Sequence, residues 1–147
     1  MINYVLMDHS HVFQIAELEK ACFSAPWDEA SVASELDNEL ALWLVAVDGT
    51  RVAGYVGSQS VMGEADMMNV AVDPDYRRQG IAQTLICSLI AALKDREVYS
   101  LTLEVRASND AAITMYQKLG FEQIGRRPGY YVKPKEDALI LRKEWAL

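Results

Sequence analysis

Residues 69–83 read Asn69-Val70-Ala71-Val72-Asp73-Pro74-Asp75-Tyr76-Arg77-Arg78-Gln79-Gly80-Ile81-Ala82-Gln83, and this stretch decides the fold. Its first half is a strand-like run that stops at Asp73-Pro74, because proline has no N–H to continue a ladder. Its second half opens a helix at Gly80. A helix start offers N–H groups without partners and the positive end of the helix dipole. Glycine lets the backbone come close to a ligand, and Arg77 and Arg78 add positive charge. A strand, a loop and a helix start so arranged make a site for a diphosphate. Neither common nucleotide signature is present: no Gly-Lys-Ser/Thr follows a glycine loop, and no Gly-x-Gly-x-x-Gly occurs.

Working outward, Ile81, Leu85, Leu89, Ala92 and Leu93 form one apolar stripe of helical period after the loop. Before it, Ala41 to Val47 and Arg51 to Ser60 read as strands joined at Asp48-Gly49, a strong hairpin signal, and Asp66 to Val72 reads as a third strand. Val12, Ile15, Leu18, Glu19 and Cys22 recur at helical spacing. A break at Ser24-Ala25-Pro26-Trp27 leads to a second helix start at Asp28-Glu29-Ala30. Downstream, Ser100 to Arg106 alternates, with Leu101, Leu103 and Val105 on one face and Thr102, Glu104 and Arg106 on the other. Ser108 or Asn109 can cap a helix carrying Ile113, Tyr116 and Leu119, which stops at Gly120 with Phe121 as its hydrophobic partner. Two further strands are expected, around Tyr130-Tyr131-Val132 and from Ala138 to Trp145. Hairpins first and a β-α-β passage later predict an α/β fold with a mixed sheet and helices on both faces. No repeat or linker divides residues 1–147, so one domain is expected.

The totals bound the function. With 51% hydrophobic residues in 147, a core can form without disulfides or a structural metal. Cys22 and Cys87 lie in no Cys-x-x-Cys pair and are expected to be small buried hydrophobes. His9 and His11 lack a carboxylate or cysteine cluster to join them on a metal, so they are expected to form a solvated helix start. A net charge of −7 argues against direct nucleic-acid binding and allows attraction to a basic protein or a cationic amine. No apolar run is long enough for a membrane helix, and Met1-Ile2-Asn3-Tyr4 carries no basic region followed by an apolar stretch, so no signal peptide is expected. The expected compartment is the cytosol. The sequence assigns no oligomeric state.

The string Arg77-x-x-Gly80-x-Ala82 after Val70-Ala71-Val72 resembles the acetyl-CoA signature of the GCN5-related N-acetyltransferases (the GNAT superfamily), Gln/Arg-x-x-Gly-x-Gly/Ala. The family's sheet is mixed and mostly antiparallel. The resemblance implies acetyl-CoA as co-substrate, held by Arg77 and by the backbone of Arg78, Gln79, Gly80, Ile81, Ala82 and Gln83. It implies that Val70, Ala71 and Val72 line the pantetheine arm, with the Val72 amide facing the thioester carbonyl. No metal is implied. Further blocks narrow the likeness: Ala25-Pro26-Trp27, Leu103 to Asn109, Ala112-Ile113-x-x-Tyr116-x-x-Leu119-Gly120-Phe121, Arg126-Arg127-x-x-Tyr130-Tyr131 and Glu136-Asp137-Ala138. Together they are similar to the bacterial RimI-like enzymes, which acetylate the N-terminal alanine of ribosomal protein eighteen of the small subunit. The implied partner is that protein's basic N-terminus. Residues 30–60 carry little of the signature, and they help to shape the acceptor side.

Acyl transfer needs a neutral amine. With ordinary pKa values near 7.8 and 10.4, about one α-amine in seven is neutral at pH 7, against about one lysine in 2,500. A carboxylate, acting directly or through one water, is then a sufficient base. Alternation leaves Glu104 open to an ion pair with Arg106, and the resemblance implies the base. Periodicity makes Tyr116 a core residue, and the resemblance implies the acid that protonates the departing CoA sulfur. Asn109 is a helix cap that the resemblance also sets against CoA. Tyr130 and Tyr131 read either as the wall of an acceptor slot or as ordinary strand aromatics. Two rival functions share the loop: acetyl transfer to another amine (a lysine, a polyamine or a small molecule), and acyl-CoA binding without catalysis. The second has no need of Glu104 and Tyr116 together.

Overall fold

Alternation along Ala41–Asp48 sends Leu42, Leu44 and Ala46 to one face of a sheet and Trp43 and Val45 to the other, so the sheet has a core on each side. The computed structural model describes residues 1–147. In chain order the elements are β1 (Ile2–Leu6), α1 (His9–Cys22), α2 (Glu29–Ser34), β2 (Ala41–Asp48), β3 (Arg51–Val61), β4 (Glu64–Val72), α3 (Ile81–Asp95), β5 (Ser100–Arg106), α4 (Asp110–Lys118), β6 (Glu122–Val132) and β7 (Lys135–Glu144). The strands form one sheet in the order β1-β2-β3-β4-β5-β7-β6. Every neighbouring pair is antiparallel except β4 with β5. The expected mixed sheet, mostly antiparallel, is what forms.

On one face α3 buries Ile81, Leu85, Ile86, Leu89, Ile90 and Leu93, and Tyr116 of α4 joins the same cluster. At about 1.5–3 kcal/mol for each buried aliphatic side chain, these six residues of α3 contribute strongly to that face. The other face holds Val12, Ile15 and Leu18 of α1 and Val32 of α2 against Trp43 and Tyr55. Helix ends follow local chemistry. Asp8 accepts from the Ser10 amide while His11 Nδ1 accepts from the Asp8 amide at 3.0 Å, so His11 belongs to a capping box and is half-buried. Asp28 caps α2 and Asn109 caps α4. Past α4, Gly120 takes φ +93 and the Phe121 amide donates to the Tyr116 carbonyl, the glycine stop read in the sequence.

Two expectations need correction. Cys22 and Cys87 are not buried: Cys22 ends α1 half-exposed, and Cys87 points to solvent because the buried stripe of α3 skips position 87. The strand expected around Tyr130 starts far earlier, at Glu122. It is an edge strand exposed along most of its length, so its sequence carries no apolar alternation to mark it. No helix is long and apolar enough to cross a membrane.

Candidate active site

The site exists because two strands part. β4 and β5 pair from Glu64–Ser100 to Asp66–Thr102 and no further. The departure begins at a bulge: Val56 of β3 opposes Val70 and Ser58 opposes Met67, so β4 carries one residue more than its partner across that interval. Phase shifts accordingly. Met67 packs on the α3 side and Met68 on the other, yet Val70 is again on the α3 side. A bulge of this kind bends its strand and adds twist.

The bulge is pinned from below by Glu19, which is wholly buried. Asn69 Nδ2 donates to both Glu19 oxygens at 3.0 Å, the Trp27 amide donates at 2.9 Å, and the Tyr55 hydroxyl donates as well. Burial and the facing carboxylate raise the Tyr55 pKa far above its ordinary value, so its proton stays. One carboxylate thus ties α1, the α1–α2 segment, β3 and the bulge together. The sequence reading counted Glu19 in the apolar stripe of α1. A lone glutamate inside such a stripe is the signal that could have marked it.

Above the bulge the Asp73 amide donates to the Ala53 carbonyl at 2.8 Å. Alternation then turns the peptide groups of Ala71 toward β3 and those of Val70 and Val72 into the parted seam. Of the three predicted strand contacts, Val70 and Val72 offer backbone to a ligand, while Ala71 offers only its small side chain. At the end of β4 the loop is held by Arg51, which donates to Asp73 at 3.1 Å and Asp75 at 2.7 Å and lies over the Tyr76 ring. The Tyr76 hydroxyl donates to Asp48 at 2.7 Å. Arg78 and Gly80 take φ +64 and +73, and no backbone N–H from Arg77 to Gln83 meets a carbonyl. A Cβ placed on Gly80 would have nothing within 4 Å. An open loop of free N–H groups at a helix start fits a diphosphate. Ile81 has only its backbone to offer there, since its side chain is buried under the sheet.

A cleft of about 770 Å³ runs along the seam, lined by Val70, Ala71, Val72, Ala82, Asn109 and Tyr116 among the predicted cofactor residues, while Arg77, Arg78, Gln79, Gly80, Ile81 and Gln83 lie outside its lining. Glu104, Tyr130 and Tyr131 line it too. Phe23, Ser24 and Ala25 close it from the α1–α2 segment, a contribution the sequence did not mark. Glu104 is partly exposed (29%) and faces the Arg127 Nε at 3.4 Å, from the edge strand β6. The ion pair with Arg106 does not form, because Arg106 turns to Glu136 at 3.2 Å. Tyr116 is only 3% exposed, edge-on to Phe121 with centroids 5.5 Å apart. Burial, reinforced by Tyr131, drives its pKa well up, so it keeps its proton. Tyr130 and Tyr131 stand edge to face at 5.1 Å. The Tyr131 hydroxyl is pushed up to about 12, first by burial and then by Tyr130 and Glu104. The cleft therefore sets a carboxylate and a protonated phenol beside a seam of free backbone donors. No three His, Cys, Asp or Glu side chains converge as a metal set.

Comparison with known proteins agrees with this geometry. The family model described as the acetyltransferase (GNAT) family matches residues 12–121. The [ribosomal protein bS18]-alanine N-acetyltransferase of Escherichia coli K12 is 40% identical over 126 residues, covering 84% of each chain. Its namesake in Haemophilus influenzae is 32% identical over 131 residues, covering 87% of this chain and 88% of its own. The crystal structure of the E. coli ribosomal-protein-S18-alanine N-acetyltransferase superposes with a TM-score of 0.91 at 35% identity, over 100% of this chain and 96% of the other.

Proposed function

The chain belongs to the acetyltransferase (GNAT) family and is an acetyl-CoA-dependent N-acetyltransferase, and on that premise we propose that its acceptor is the α-amine of the N-terminal alanine of ribosomal protein bS18. The observation that carries the reading is the meeting of Glu104 and Tyr116 in one cleft that also receives the backbone of Val70 and Val72. Bound acetyl-CoA supplies a thioester. Its diphosphate rests on the N–H groups of Arg78 to Gln83 with Arg77 beside them, and its arm lies along Val70 to Val72.

The residues divide the proton work. Glu104 takes the proton of the acceptor amine, directly or through one water. An α-amine needs little help, since its pKa lies close to neutrality. The Val72 amide donates to the oxygen on which negative charge develops, and a preorganised donor of this kind contributes about 3 kcal/mol. Tyr116, protonated and shielded from solvent, gives its proton to the departing sulfur. Tyr130, Tyr131 and the Phe23–Ala25 segment bound a slot with room for a small first residue. The net charge of −7 does not favour a basic acceptor at that rim: residues 122–137 carry four cations against three carboxylates.

The test is a mass-spectrometric panel with acetyl-CoA. It contains a bS18-like peptide with N-terminal alanine, the same peptide with a bulky first residue, a blocked peptide offering only lysine, and a polyamine. The alanine peptide should be acetylated at least about tenfold faster than the others, a difference of about 1.4 kcal/mol in transition-state binding. If the lysine peptide or the polyamine is faster, the ribosomal acceptor is wrong.

A further inference from the structure

Arg106 ends β5 two residues beyond Glu104 and is the fixed point of the turn between β6 and β7. Its Nη1 donates to the Pro134 carbonyl at 3.1 Å and to Glu136 Oε1 at 3.2 Å. Its Nη2 donates to the Lys133 carbonyl at 3.1 Å. The guanidinium carbon lies 4.2 Å from the centre of the Tyr131 ring. Glu136 is held from its other side, where Oε2 accepts from the Ser108 amide at 2.8 Å. One planar group therefore grips the turn by two peptide oxygens while its face carries an aromatic ring.

Strand pairing does only part of this work. Tyr131 pairs with Glu136 and Val132 with Lys135, but the register breaks between Arg127 and Tyr131, so these two rungs next to the turn are cut off from the longer ladder that ends at Arg127–Ala138. Yet Tyr131 lines the same cleft as Glu104 and Tyr116. Arginine suits the position and lysine does not: a planar fork can reach two carbonyls and stack on a ring, whereas an ammonium is a single point of charge.

We propose that Arg106 is the positioning residue of the acceptor wall, fixing Tyr131 at the spacing that a small first residue and its free amine require. This rests on the cleft being the acetyl-transfer site. Arg106 itself borders the cleft, so direct contact with the acceptor is the competing role, and a double-mutant cycle separates the two.

The experiment is steady-state kinetics with an N-terminal alanine peptide on Arg106→Met, Arg106→Lys, Tyr131→Leu and the double variant Arg106→Met with Tyr131→Leu. The acetyl-CoA Kd and the melting temperature are measured alongside. In Arg106→Met the peptide KM should rise about tenfold, and nearly as far in Arg106→Lys, with kcat changed by less than about threefold. The acetyl-CoA Kd should not move. The double variant should be no worse than Tyr131→Leu alone, because the arginine acts through the tyrosine. An unchanged KM in Arg106→Met overturns the proposal, and so do losses that multiply in the double variant. If Arg106→Met does not fold, Arg106→Lys decides by the same KM. Failure of the parent reading looks different, since wild-type protein would then leave the alanine peptide unmodified or acetylate the lysine peptide or the polyamine faster.

Discussion

The two ends of the cleft are built from different materials. At the end where we place the diphosphate the groups on offer are backbone: the free N–H groups from Arg77 to Gln83, of which only Ala82 belongs to the cleft lining, and the seam-facing peptides of Val70 and Val72. At the end where we place the acceptor they are side chains brought from four places, Glu104 on β5, Tyr116 on α4, Tyr130 and Tyr131 on β6, and Phe23 to Ala25 after α1. A backbone site depends on conformation, so it tolerates almost any side chain that leaves the path unchanged and space for the ligand. A side-chain site depends on identity at each position. The first end should therefore be common to all chemistry of this class, and the second should carry the choice of amine.

The hardest test of that division is Glu104→Gln, which keeps shape and removes the base. Turnover should fall by about 10²-fold or more, with acetyl-CoA binding intact, and part of the rate should return at higher pH as more of the amine becomes neutral unaided. An unchanged rate would leave Glu104 as no more than the counter-ion of Arg127. Gly80→Val probes the other end. A β-branched residue at φ +73 is strained by about 1–3 kcal/mol, although its Cβ meets nothing in the protein. The apo protein should still fold. The stabilisation that acetyl-CoA gives at 100 times its Kd, about 2.7 kcal/mol, should be lost, as thermal denaturation with and without ligand would show. A surviving ligand shift would mean that the loop backbone is not the site.

The smallest effect sharpens the contrast at Tyr131. Its pKa is pushed up to about 12 in the folded chain, against an ordinary 10 when unfolded. Between those values the unfolded chain gives up the proton first, so the stability present below pH 10 declines as pH climbs through the window. In Tyr131→Phe the melting temperature should decline less steeply from about pH 10 upward. The difference will be slight, because the residue is only half-buried and solvent screens it. An identical slope in both proteins would mean that the folded chain does not hold Tyr131 half-buried between Tyr130 and Glu104.

The same division explains what could be read in advance. The apolar stripe of α3, the hairpin at Asp48-Gly49 and the loop to Gly80 were legible because each is a local pattern with one physical reading. Glu104 and Tyr116 became legible only through their motifs, since alternation alone allowed an Arg106 partner and periodicity alone allowed a plain core tyrosine. Arg127 escaped notice as the partner of Glu104 because the pairing crosses from β6, whose length was itself hidden by two-sided exposure. Cys87 was misjudged because composition says what is usually buried, whereas helix phase says which face this position takes. Glu19 was hidden for the opposite reason. Its phase was right, and nothing in the stripe announced the three donors waiting inside.

The single extra residue at Met68–Asn69 also sets the regularity of β4 against its openness. Deleting Asn69 would restore an unbroken ladder with β3, and by ordinary measures of sheet regularity it would be an improvement. Met67 would still oppose Ser58 and Val70 would still oppose Val56, with Val70 and Val72 on the α3 side as before. What would go is the bend that a bulge puts into its strand, together with the side-chain amide that holds it to Glu19. A straightened β4 could continue its pairing with β5 beyond Asp66–Thr102, and each rung so gained would close part of the cleft. The most regular sheet this chain could form is thus one with its seam shut.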